Sequence, residues 1–303
     1  MENQCVGLAE RIGAPFEVKR LHPRPPWTWL PPGWWPAPML ALGRSSAALA
    51  PPWPDLMITC GRRSVPYALH VKQASGGRAF IVHIQDPLAR LDRFDLIAAP
   101  RHDRLRGANV VQTFGALHKV TPARLAAEAE RFRAGLAHLP RPLVCVLVGG
   151  PNGAYEMPTE VVAGLAQKLR GLGAGLAVTP SRRTGAMNVA TLRSALAGAP
   201  AAVWDLSGDN PYFGWLALAD FVVVTCDSVS MASEACFTGK PVLVVDLPGG
   251  NPKFRAFHAA MREAGFTRPF EGRLERWTYR PPDDTGAVAA EVRRRFAARF
   301  IEA

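Results

Sequence analysis

The stretch FVVVTCDSVSMASEACFTGKPVLVVDL (221–247) sets an apolar β-type run before a Ser-rich segment of helical composition and then a second run. Upstream the alternation repeats: LVCVLVGG (143–150), a helical pattern over 159–170 ended by Gly171, GLAVTPS (175–181), a helical pattern over 187–196, and AAVWDL (201–206). Runs this uniformly apolar are what strands buried on both faces of a parallel sheet look like. Strict alternation of strand and helix demands right-handed crossovers. This half therefore reads as a doubly wound α/β domain that takes ligands at the carboxyl ends of its strands.

Further out, LMITC (56–60), AFIVHI (79–84), FDLIAAP (94–100) and NVVQTF (109–114) are runs of the same kind. A helix over 121–139 with Pro122 in its first turn follows, then a break from Pro140 to Pro142. Residues 1–140 are expected to form one Rossmann-like domain and 141–284 a second, the two facing a cleft. The last helix, 285–301, places Val288, Val292, Phe296 and Phe300 four apart, which makes it amphipathic. The chain opens on another helix, with Val6, Leu8, Ala9 and Ile12 before Gly13. Between these, residues 23–54 hold ten prolines and five of the eight tryptophans, so no regular strand can run there, although 39–50 has the composition of a short helix. That segment is either a loop packed down by its aromatics or a surface that dips into a membrane interface, since Trp beside Arg24 and Arg44 has one apolar and one wet end.

At 303 residues and 32.8 kDa the chain has room for two domains. A hydrophobic fraction of 48% with 20% charged residues fits a folded core and excludes disorder, collagen and disulfide scaffolds. Net charge is +11, and 30 of the 36 cations are arginine, whose forked guanidinium suits phosphates and carboxylates. Nucleotides, anionic lipids and nucleic acids are the partner classes this leaves. The Arg293 to Arg295 run reads as a solvated helix face, so no nucleic-acid partner is expected. The five cysteines form no CxxC pair and read as reduced core residues. No apolar run reaches about 18 residues, and Glu2 argues against a secretory signal, so a cytoplasmic location with contact at the inner membrane face is expected.

The strand-end loops carry the candidate chemistry. Gly149, Gly150 and Asn152 in GGPNG let backbone approach a ligand and offer N–H groups to an anion, although GGPNG is neither GxGxxG nor a Walker loop. Ser181, Arg182, Arg183 and Thr184 pair two cations with two hydroxyls, a fit for a diphosphate. Asp227 or Ser228 caps a helix whose positive end suits a phosphate, with Ser230 and Met231 in its first turn. Glu234, one turn deeper, is placed to accept from ribose or sugar hydroxyls. Asn210 and Tyr212 form a turn whose aromatic could flank a base. In the first half the counterparts are Gly61, Arg62 and Arg63, then Gln85 and Asp86, for an acceptor or a phosphate. His102 and Asp103 are the one His/carboxylate couple at an expected strand end and the best general-base candidates. HxxxH, HExxH and CxxC are absent, so no metal site is expected. GxSxG is absent, and Tyr67 and Lys72 are five apart instead of the four a short-chain dehydrogenase or epimerase needs.

PPWPDLMITCGRRSVPYAL, IVHIQDP, FDLIAAPRHD, NVVQTFGALH, VLVGGPNGAY, TPSRRTG and VVVTCDSVSMASEACFTGKPVLV together resemble the bacterial and plant family named for the plant "elongated mitochondria" fission protein. Its bacterial members have also been labelled nucleoside-diphosphate-sugar epimerases. The second half also resembles the donor domain of GT-B glycosyltransferases. That resemblance implies that Gly149, Gly150, Ser228 and Ser230 hold a diphosphate, that Glu234 binds the ribose, and that the last helix crosses back to the first domain. It further implies a strand and an Asp-Gly loop ahead of the segment matching Glu2, Asn3 and Gln4, so the first domain is expected to lack its N-terminal strand.

The expected function is a metal-independent GT-B glycosyltransferase with no bound cofactor and a nucleotide-sugar co-substrate, acting on an anionic or lipid-linked acceptor at the inner membrane face. The rival is a non-catalytic scaffold that binds a partner protein. An epimerase, the third reading, would carry a tightly bound nicotinamide cofactor.

Overall fold

The structure is a computed structural model and describes residues 1–31, 34–35 and 37–300. In chain order its regular elements begin α1 (Glu2–Ile12), β1 (Leu56–Cys60), α2 (Val65–Ala74), β2 (Phe80–Ile84), β3 (Leu96–Pro100), β4 (Val110–Thr113), α3 (Pro122–Leu136), β5 (Leu143–Val148), α4 (Thr159–Arg170) and β6 (Gly175–Pro180). They continue α5 (Ala186–Ala195), β7 (Ala201–Val203), α6 (Tyr212–Leu218), β8 (Phe221–Thr225), α7 (Val229–Phe237), β9 (Val242–Val245), α8 (Pro252–Glu263), β10 (Thr267–Pro269) and α9 (Asp284–Phe300). The chain divides into two compact units: Met1–Lys119 with Asp283–Ala303, and Val120–Pro282.

The first unit is built on a parallel sheet in the order β1-β2-β3-β4. Alternate residues of β2 serve opposite faces, as strand geometry requires. Phe80, Val82 and Ile84 pack with Leu8 of α1 and with Val288, Ala289 and Val292 of α9, while Ile81 packs with Val65, Tyr67 and Val71 of α2 and with Trp35. Burial of each large aliphatic side chain contributes about 1.5–3 kcal/mol. Polar contacts fix α9 in this unit. Asp284 accepts from the Phe114 N–H at 3.0 Å and the Gly115 N–H at 2.8 Å, and Asp95 takes both Lys72 and Arg299 at 2.5 Å. Burial raises the Asp284 pKa, and the two N–H groups oppose the rise. Residue 301, expected at the end of this helix, lies outside the described residues. His83 is fully buried, its Nδ1 is 2.8 Å from Thr59 Oγ1, and burial pushes its pKa down to about 4.

The short helix expected over 39–50 does not form. A 3-10 turn, Pro38–Ala41, is followed by extended backbone that pairs with the chain near residue 22: Gly43 N–H donates to the His22 carbonyl and Ala47 N–H to that of Arg20, both at 2.9 Å. Long-range pairing here overrides local helical composition. The tryptophans of this segment divide between inside and outside. Trp35 is buried edge-on to Tyr67 with ring centroids 5.8 Å apart, while Trp29 and Trp34 are each 77% exposed.

In the second unit the parallel sheet runs β10-β9-β8-β5-β6-β7. All six residues of β5 are buried, and the strand order reverses between β5 and β8, the kind of switch point at whose carboxyl ends open α/β sheets take their ligands. Helix α3 belongs to this unit, so the division falls at Val120 and not at 141. The cause is one close helix contact: a Cβ on Gly214 of α6 would strike the Glu128 carbonyl and the Phe132 ring of α3, so these helices pack too closely to separate. Helix α8 carries Phe254, Phe257 and Met261 three and four apart, a helical spacing the sequence reading passed over, while β10 is only three residues long.

Candidate functional site

The carboxyl edge of the second sheet is organised by one buried carboxylate. Asp227 is 2% exposed, and its oxygens take the Thr225 hydroxyl at 2.6 Å, the Gly150 N–H at 3.0 Å and the Arg183 guanidinium at 2.9 Å. Thr225 Oγ1 in turn accepts from the Gly149 N–H at 2.8 Å. The loops after β5, β6 and β8 thus meet on one side chain, and both of its oxygens have a donor in a low-dielectric setting. Asn152 reinforces the knot, donating to the Asp227 carbonyl at 3.0 Å and accepting from the Ala154 and Tyr155 N–H groups. Ser181 and Thr184 close a reciprocal capping box, and both hydroxyls donate to the Gly149 carbonyl.

The glycines therefore serve a different purpose from the one expected. Their N–H groups face Thr225 and Asp227, inside the protein, and are not offered to an anion. A Cβ on Gly149 would overlap the Asp227 carboxylate, and one on Gly150 would overlap the Arg183 carbonyl. Substituting Gly150→Ala should cost about 1–3 kcal/mol through this overpacking; urea denaturation of the variant reads it, and a loss below about 0.5 kcal/mol would contradict the close approach. Arg183 is likewise committed to Asp227 and to the Gly150 carbonyl at 3.2 Å. Arg182 is exposed and makes no ion pair among the described residues, which leaves it as the cation available to a ligand.

Ser228 caps α7, accepting from the Met231 N–H at 3.3 Å. The Val229 and Ser230 N–H groups, which no helical carbonyl can reach, stay open at the positive end of the helix. Ser230 and Glu234 are four residues apart and share one face of α7. Glu234 Oε2 accepts from the Tyr212 hydroxyl at 2.6 Å. Burial raises the Glu234 pKa to about 7 against the lowering effect of that bond. Burial, with the neighbouring carboxylate, also holds the Tyr212 phenol well above its ordinary value. Asn210 sets up the turn, its side-chain oxygen accepting from the Tyr212 N–H at 3.0 Å.

Sequence reasoning missed the loop after β9. Gly249 and Gly250 adopt φ of 102° and 97°, Asn251 caps α8 through the Phe254 N–H at 3.0 Å, and Pro252 starts the helix. This loop is zipped to the one after β5 by Gly250 N–H to Ala154 O at 2.6 Å and Glu156 N–H to Pro248 O at 3.0 Å. The string PGGNP, with glycines before an Asn cap and Pro, was the available signal. His258 on α8 reaches the Cys226 carbonyl at 2.8 Å, and burial lowers its pKa.

In the first unit the candidates line the carboxyl edge of its own sheet. Gly61 (φ 82°) accepts from the Ser64 hydroxyl at 2.7 Å, with Arg62 and Arg63 exposed in the same turn. Gln85 is held at φ 79° by its N–H to the Ala98 carbonyl at 2.8 Å, an uncommon conformation for a residue with a Cβ, and Asp86 accepts from the Leu88 N–H at 2.8 Å. His102 and Asp103 sit half-buried on a 3-10 turn after β3, beside Arg101, whose guanidinium lies 3.7 Å over the Phe114 ring. Among the described residues no three His, Cys, Asp or Glu side chains come together to hold a metal ion, all five cysteines are free, and no helix is long and apolar enough to cross a membrane.

Comparison with known proteins fixes the family. A family model described as Mitochondrial fission ELM1 matches residues 1–296. The chain belongs to the mitochondrial fission ELM1 family. The family expected from the sequence motifs is thus the one that matches. An ELM1-family relative from Arabidopsis thaliana, mitochondrial fission protein ELM1, is 34% identical over 81% of this chain and 65% of the plant protein, so the chain spans about two thirds of that relative's length. An uncharacterized protein of Rickettsia prowazekii (strain Madrid E) is 25% identical over 79% of each chain. Among solved structures, this ELM1-family chain is similar to a putative UDP-N-acetylglucosamine 2-epimerase from Listeria monocytogenes, with 13% identity, a TM-score of 0.50 and coverage of 82% of this chain and 76% of that one. It is also similar to Acinetobacter baumannii MurG, with 14% identity, a TM-score of 0.45 and coverage of 82% and 69%. At such identities the likeness speaks to fold alone, and the fold is GT-B-like, with two parallel α/β sheets.

Proposed function

We propose that the second unit binds a nucleoside-diphosphate sugar and that the protein is a GT-B-type glycosyltransferase needing no resident metal. The observation that carries this reading is the N-terminus of α7. A capped helix end with two open N–H groups stands at a topological switch point, over a floor of loops locked by Asp227, with a partly buried carboxylate on the same helix face. In this reading the helix dipole and Arg182 hold the diphosphate and stabilise the negative charge that grows as it departs. Glu234 accepts from the ribose or sugar hydroxyls, and Tyr212 flanks the base. Gly149, Gly150, Asn152, Ser181, Arg183, Thr184 and Asp227 keep the floor rigid, while Ser228, Ser230 and Met231 shape the first helical turn. The acceptor is anionic or lipid-linked, with Gly61, Arg62, Arg63, Gln85 and Asp86 as its contacts, and His102 with Asp103 takes the proton of the attacking hydroxyl. The place of action is the cytoplasm, at the inner membrane face.

The test is thermal unfolding against a panel of nucleoside diphosphates and their sugars, UDP-sugars first because the Listeria protein is described as a putative UDP-sugar enzyme. A ligand at 100 times its Kd stabilises a folded unit by about 2.7 kcal/mol, a shift of several degrees for a unit of this size. The shift should vanish in Arg182→Ala and in Glu234→Ala; a shift in both variants as large as the parent's would refute the assignment. A second reading, a partner-binding scaffold, draws on one observation: the N–H groups of Gly149 and Gly150 are engaged internally and give nothing to a phosphate. It expects no nucleotide shift at all.

A further inference from the structure

Ten large apolar side chains are exposed among the described residues, and six of them fall within residues 16–40: Phe16, Val18, Trp29, Leu30, Trp34 and Leu40. Such clustering is not the scatter expected of an ordinary surface. Trp29 and Trp34, each 77% exposed, are the exposed tryptophans among the described residues. Each has its N–H tied back in a turn. Trp29 closes the 3-10 turn Trp27–Trp29, with its N–H on the Pro26 carbonyl at 3.0 Å, and the Trp34 N–H meets the Pro31 carbonyl at 2.9 Å. Beneath them the segment is anchored, for Trp35 is buried against Tyr67 and its indole N–H donates to the Leu30 carbonyl at 3.2 Å. The fold thus holds the backbone at both tryptophans before any surface is met.

The charge around the tips is one-sided. Residues 14–54 hold Lys19, Arg20, Arg24 and Arg44 against Glu17 alone. Lys19 pairs with Glu17, and Arg20 with Glu2 at 2.7 Å. Arg24 and Arg44 are exposed with no carboxylate partner among the described residues. Arg24 also ties the patch together, with its guanidinium 5.9 Å from the Trp27 ring and its Nε donating to the Leu40 carbonyl at 3.2 Å. Apolar tips whose indole N–H can stay wet, with Arg24 tied in among them and Arg44 exposed in the same stretch of chain, match the headgroup layer of an anionic bilayer: rings at the acyl boundary, cations on phosphates.

We infer that the surface formed by Trp29, Leu30, Trp34 and Leu40 with Arg24 and Arg44 docks the first unit on a bilayer rich in anionic phospholipid. This deepens the proposed lipid-linked acceptor and rests on that reading for its purpose, but it is measured without nucleotide, so either can fail alone. The experiment is flotation of the full chain with phosphatidylcholine vesicles and with vesicles of phosphatidylcholine and phosphatidylglycerol in equal parts. The protein should float with the phosphatidylglycerol vesicles and be released progressively by salt. Trp29→Ser/Trp34→Ser should float about tenfold less, and Arg24→Gln/Arg44→Gln should lose the preference for phosphatidylglycerol, both with unchanged melting temperature and nucleotide shift. Absence of flotation on either vesicle, or flotation of the Trp variant equal to that of the parent, overturns the inference. So does a concentration-dependent dimer in sedimentation that the Trp variant abolishes while the parent ignores vesicles.

Discussion

Glu234→Gln should make the protein more stable at pH 8 and worse at binding a nucleotide sugar. The Glu234 carboxyl titrates at about 7 in the folded chain because it is buried, against an ordinary value of 4.5. Between those two values the folded state keeps a proton that the unfolded state has released, so stability falls as pH rises through that window and stays low above it. The interval corresponds to about 3 kcal/mol, or about 2 once its partial exposure to solvent is allowed for. Glutamine keeps an oxygen to accept from Tyr212 but has no charge to bury, so the variant escapes the loss. Urea denaturation at pH 5 and pH 8 reads it directly: the parent should lose about 2 kcal/mol more than the variant over that range. Equal losses would show that the carboxyl is not desolvated. Greater stability with weaker binding would mark the residue as one kept for its ligand.

Asp227→Ala should have the opposite sign and a larger size. Removing this carboxylate strands the Gly150 N–H, the Thr225 hydroxyl and the Arg183 guanidinium together. Breaking a buried, hydrogen-bonded charge costs about 3–5 kcal/mol. For a unit of this length that is a fall of about 10 °C in melting temperature, read by calorimetry. Arg183→Ala should cost far less, because the Arg183 side chain is 46% exposed and water can replace it as a donor, whereas the Asp227 side chain is fully enclosed. Matching losses in the two variants would mean the hub lies elsewhere. Nucleotide binding should disappear with Asp227, since the floor beneath α7 comes apart.

What could be read in the sequence was what is written locally. LVCVLV, GLAVTP and FVVVT are uniformly apolar because each strand is covered on both faces, and each forms a strand where its run lies. A cap at Asp227 or Ser228 was legible for the same reason, since a cap and its helix are neighbours in the chain, and it is Ser228 that takes the place. The purpose of Gly149 and Gly150 was not. Glycine is needed there because Asp227 and Arg183, more than 30 residues away, press against the loop, and no local pattern carries that. The assignment of α3 failed for a like reason: the deciding contact is with Gly214. The helix expected over 39–50 was lost to pairing with backbone near residue 22, which composition cannot foresee.

The seat of α9 has a consequence for how the protein is made. Residues Val120–Pro282 are contiguous, so the second unit has all its parts once Pro282 has left the ribosome. The first unit, whose sheet is synthesised earlier, must wait with Phe80, Val82 and Ile84 covered only on the side of Leu8 until Val288, Ala289 and Val292 arrive. The half of the protein translated first is therefore the half completed last, and its apolar sheet face is open to wrong contacts for the whole time its neighbour takes to emerge.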